Sequence, residues 1–67
     1  MTYHDLVKEG RIRLQNTDVS ENTPKLLMFE LLNEQNKNMY VVYDDEADQT
    51  IIDKYIFIYF INYLQSL

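Results

Sequence analysis

Turn-forming residues cluster at 16–24, at 36–38 and at 44–48, and between them the chain falls into four segments with distinct apolar patterns. The first opens on Thr2 with Asp5 three positions on, a pair able to cap the orphan N–H groups of a helix. A helix from about Tyr3 to Gln15 follows, its stripe formed by Tyr3, Leu6, Val7 and Leu14. Gly10 interrupts that stripe, at a cost of about 1 kcal/mol relative to Ala. Close helix packing accounts for it best, with a kink as the alternative. The second segment begins with Thr23-Pro24, a cap followed by a residue suited to the first helical turn. It runs to about Glu34 with Leu27, Met28, Leu31 and Leu32 toward the core and Leu26 and Phe29 widening the stripe.

The third segment, Met39-Tyr40-Val41-Val42-Tyr43, has the β-branched and aromatic content of a strand. No second strand-like run exists to pair with it, so its backbone groups are better satisfied in a short helix capped by Asn38. The last segment starts after Asp48, a plausible cap, and eleven of the fourteen residues from Ile51 to Leu64 are apolar. Steps of about 100° per residue place Ile52, Tyr55, Ile56, Tyr59, Phe60 and Tyr63 on a predicted core face. Phe57, Ile58, Ile61 and Leu64 then lie on the outer side with Asp53, Lys54 and Asn62. Covering those four side chains would remove roughly 300–400 Å² of apolar surface, worth roughly 8–10 kcal/mol before association costs. They are the predicted interface, toward a further domain, a partner or a second copy. The expected fold is an all-α bundle of four or five helices in one domain, 1–67.

Length and charge narrow the function. With 67 residues the chain is too short for most catalytic domains, and with no Cys it has neither disulfides nor thiolate metal chemistry. A cytoplasmic location is the natural expectation. The N-terminus lacks a basic segment followed by an apolar run, so no signal peptide is expected. The longest apolar run, Tyr55 to Ile61, is far short of the roughly 20 residues a bilayer span needs. Eleven acids against six bases make nucleic acid a poor partner and a basic protein surface a better one.

Candidate chemistry is sparse. Asp45-Glu46-Ala47-Asp48 spells a helicase D-E-A-D box, but the sole glycine is Gly10, so the phosphate loop that chemistry requires is missing. The same acids lack the glycine of a calcium loop. They are expected to form a solvated loop near a helix N-terminus, where the dipole favours them. His4 is the sole histidine and has no nucleophile or second histidine at a suggestive spacing. The aromatic-rich C-terminal segment holds one base, Lys54, unlike a single-strand stacking platform. No catalytic, cofactor-binding or metal-ligating residue is assigned.

The order of these features resembles a known family. The opening Met-Thr-Tyr-x-x-Leu-x-x-Glu-Gly, Leu14 with Val19 five residues later, Leu27-Met28-Phe29 with Leu32, the short apolar segment after Asn38 and the long final helix look like the N-terminal domain of bacterial peptide-chain-release-factor glutamine methyltransferases, the HemK family. Thr17-Asp18 stands where the family has Ala-Gly, Asn36-Lys37-Asn38 where it has a Ser-Arg-Thr-like cap, and Leu26 where it has an acid. The resemblance implies a non-catalytic domain that recognises and positions the release factor. S-adenosylmethionine and the Asn-Pro-Pro-Tyr motif would belong to a methyltransferase domain outside this chain. The implied partners are the release factor and that domain, with a homodimer of the fragment also allowed. A reading of another class is a free-standing acidic helical protein, a homodimeric regulator or an antitoxin-like binder of a basic partner. The reading frame past Leu67 separates the two.

Overall fold

Among the described residues four helices form, and in each the first turn is set by local chemistry. The computed structural model describes residues 1–59, for Tyr59 the backbone only. Helix α1 (Tyr3–Arg13) opens on the expected capping box. Thr2 Oγ1 accepts from the Asp5 N–H at 3.1 Å, and Asp5 Oδ2 accepts from the Thr2 N–H at 3.0 Å. Tyr3, Leu6, Val7 and Gly10 form its buried face, and Leu14, also buried, is its C-cap.

Helix α2 (Thr23–Glu34) starts one residue earlier than expected, and Thr23 is not its cap. Ser20 supplies the reason. Its carbonyl accepts from the Thr23 N–H at 3.0 Å and its Oγ from the Asn22 N–H at 3.2 Å, a turn that draws Thr23 into the helix. Asn22 occupies the cap position without a side-chain bond. At the far end Asn36 takes φ 59° and the Lys37 N–H bonds back to Leu32 O at 2.9 Å. This is a Schellman closure with asparagine in the left-handed position. Asn36→Val should lower stability by about 1–2 kcal/mol, because a β-branched residue is strained there. Chemical denaturation with an unchanged m-value is the check.

The short third segment is helical, as expected. Asn38 Oδ1 accepts from the Tyr40 N–H at 2.9 Å and opens α3 (Met39–Val42). Its Met39 is buried while Tyr40 and Val41 face outward. Helix α4 (Gln49–Tyr59) begins directly after the expected cap, with Asp48 Oδ1 accepting from the Thr50 N–H at 3.0 Å.

Helix α2 packs against α1, α3 and α4, so its inner face carries the centre of the core. Met28, Leu32, Met39 and Ile51 are completely or almost completely buried, with Tyr3, Leu6, Val7, Leu31 and Tyr55 around them. Two expectations need correction. On α4 the core face is Ile51 and Tyr55, with Ile52 and Ile58 packed partly against it, whereas Ile56 points outward. The face is rotated toward Ile51 because a helix apolar on nearly all sides gives no polar contrast to fix its phase. On α2, Leu26 and Phe29 do not widen the core stripe; they are exposed. Neighbours cover one side of α2 only. Phe60 and Tyr63, also expected in the core, lie outside the described residues, as does the side chain of Tyr59.

Gly10 is a close-contact glycine, not a kink. A Cβ at this position would lie 2.3 Å from Tyr55 Oη and 3.0 Å from Pro24 Cβ. The missing methyl group lets α1 approach the start of α2 and the Tyr55 side chain of α4 together.

Candidate interaction surfaces

The first four residues are fastened to the acidic loop that precedes α4. The Met1 amine pairs with Glu46 Oε1, Thr2 and Glu46 form an antiparallel bridge, and the Ala47 N–H donates to Met1 O at 2.9 Å. Tyr3 Oη accepts from the Asp48 N–H at 3.1 Å. The His4 N–H donates to Tyr43 O at 2.9 Å, and its ring stacks on Tyr43 at a centroid distance of 4.6 Å, with Nδ1 3.4 Å from Asp44 Oδ1. Each acid of the D-E-A-D string therefore has a local explanation or faces water. Glu46 holds the amine, Asp48 caps α4 and lies 3.9 Å from Lys37 Nζ, and Asp45 is exposed. Among the described residues no group of histidines, cysteines and acids could hold a metal ion.

The charges of this region set a pH dependence. The Thr2 hydrogen bonds, its backbone N–H first, hold the Asp5 carboxyl below its ordinary value of 3.8. A group held low contributes stability above its unfolded value and loses it as the pH falls through its folded value. The melting temperature should therefore fall on acidification below about pH 4, and Asp5→Asn should shrink that fall. Glu46 raises the Met1 amine above its ordinary 8.0. Its contribution is complete below that value and fades as the pH rises past the raised one.

Two apolar faces are open. Between α1 and α4 runs a groove of about 430 Å³ lined by Met1, Leu6, Glu9, Gly10, Arg13, Tyr55 and Ile56. Glu9 and Arg13 pair across one turn at 3.2 Å on its edge. Beside it α4 presents Ile56 at 43% and Phe57 at 65% exposure. Of the four residues expected at the interface, Phe57 is outward as anticipated. Ile58 is partly buried against the core, and Ile61 and Leu64 lie outside the described residues. The other open face, on α2 and α3, carries Leu26, Phe29, Tyr40 and Val41. Sequence reasoning missed it, because it assigned Leu26 and Phe29 to the core stripe of α2.

No helix among the described residues is long and apolar enough to cross a membrane. No known family model, curated protein or solved structure matches the chain.

Proposed function

We propose that this chain is a non-catalytic protein-docking domain of the kind that precedes the catalytic domain in release factor glutamine methyltransferases, where it recognises and orients the release factor. The observation that carries the reading is the element order. An Asn38-capped single-turn helix stands between α2 and a predominantly apolar α4, in the order that family uses. The exposed Ile56 and Phe57 support a docking role for the outer side of α4. The chain's formal charge of −5 favours a basic partner surface. In this reading methyl transfer and S-adenosylmethionine belong to a separate domain, and the protein acts cytoplasmically in translation termination.

The test is functional. Fused ahead of a methyltransferase domain stripped of its own N-terminal part, the chain should raise kcat/KM for glutamine methylation of a class I release factor by about tenfold or more, the scale of about 1.4 kcal/mol of added binding. Phe57→Glu should cancel most of the gain while leaving the melting temperature within about 2 °C, because the side chain is mostly in solvent. An unchanged rate in the fusion would overturn the proposal.

A further inference from the structure

The two most exposed large hydrophobic residues of the described chain are on α3, and two more stand beside them on α2. Leu26 is 63%, Tyr40 72% and Val41 77% exposed, with Phe29 beside them at 39%. Leu26, Phe29 and Tyr40 line a groove of about 350 Å³ that Asn22, Lys25 and the buried Met39 complete. Lys25 Nζ lies 6.0 Å from the Tyr40 ring centroid, and the Phe29 and Tyr40 rings are 6.4 Å apart and tilted. Along α2, Asn22, Leu26, Phe29 and Asn33 follow a 4-3-4 spacing that puts them on one line. Lys25 and Glu30 flank that line on opposite sides. These are the a/d seam and the g/e flanks of a two-stranded helical pair.

We propose that this line is a homodimer seam, with two copies of the chain packing their α2 helices in parallel about a two-fold axis. Charge selects both occupant and orientation. In parallel pairing Lys25 of one copy faces Glu30 of the partner subunit, five positions further along, and symmetry makes the pair twice. Antiparallel pairing would set Lys25 beside Lys25 and Glu30 beside Glu30. Leu26 and Phe29 meet their own equivalents across the axis. Asn33 occupies a seam position at which asparagine pairs with its own copy and fixes register. Tyr40, beside Lys25, and Val41 next to it in the chain extend the cover over the partner's flank. The four apolar side chains withdraw on the order of 400 Å² per copy, or about 800 Å² in the pair, below the roughly 1,200 Å² of a stable interface. The dimer is therefore weak and reversible, and it leaves the outer side of α4 free. It does not depend on the release-factor reading.

Sedimentation velocity between about 20 μM and about 1 mM tests it, a span suited to an interface below the stable size class. The expected result is a weight-average mass that climbs from the monomer toward twice 8.1 kDa. Leu26→Glu should stay monomeric throughout. Lys25→Glu and Glu30→Lys should each weaken association about threefold or more, and the double swap should return it to within about twofold of the parent. Circular dichroism confirms that each variant is folded, and Leu26→Asn replaces any Leu26→Glu protein that is not. A monomer at every concentration, a dimer that survives loss of Leu26, or a double swap no better than its singles would overturn the proposal. So would a dimer abolished by Phe57→Glu alone.

Discussion

Gly10→Ala is expected to destabilise the domain by about 1–3 kcal/mol, and Gly10→Val by more, even though alanine is the better helix former. On propensity alone the change should gain about 1 kcal/mol. Packing reverses the sign. The new methyl group would meet Tyr55 Oη at 2.3 Å and Pro24 Cβ at 3.0 Å. Neither neighbour is a flexible chain end. Tyr55 is a buried ring locked at the edge of the core, and Pro24 is buried with its ring tied to its own backbone. Relief therefore requires α1 to move away from α2 and α4, which loosens the contacts of Leu6 and Val7. A thermodynamic cycle with Tyr55→Phe isolates the cause. Removing the hydroxyl should make the alanine less costly, a coupling of about 0.5 kcal/mol or more. Equal costs of Gly10→Ala in the two backgrounds would show that Pro24 alone sets the limit.

The second large effect concerns the phase of α4. Ile51→Ala should cost about 3 kcal/mol, since the side chain is fully enclosed and a cavity would remain. A domain of this length has a total stability of only about 3–10 kcal/mol. The variant should therefore melt far below the parent or be partly unfolded at 37 °C. Ile56→Ala, one and a half turns along the same helix, should change stability by less than about 1 kcal/mol, because Ile56 is 43% exposed. The reverse ranking would restore the face that periodicity suggests, with Ile56 inside.

The contrast between those isoleucines shows what a sequence can reveal. The caps at Thr2, Asn38 and Asp48 were legible because each is a contact between residues two or three apart in the chain. The inward stripe of α1 was legible because Lys8, Glu9, Arg11 and Arg13 mark its outside. The choice of helix over strand for Met39–Val42 followed from the lack of a pairing segment. On α2 and α4 the charged residues are fewer and apolar residues stand among them. Leu26, Phe29, Ile56 and Phe57 have the same composition as a core, and only the positions of neighbouring helices decide which of them are covered. Close approach at Gly10 was anticipated, but its partners Tyr55 and Pro24 are distant in sequence.

The proposed docking role is tested most directly by a nuclear magnetic resonance titration of the isotopically labelled chain with an unlabelled class I release factor. Signals of Ile56, Phe57 and the α1 residues along the groove should shift or broaden as the factor is added, and the resonances of buried Met28 and Leu32 should stay in place. A spectrum unchanged at several-fold excess of the factor, or one perturbed equally by any basic protein of similar size, would contradict recognition of a release factor by this domain.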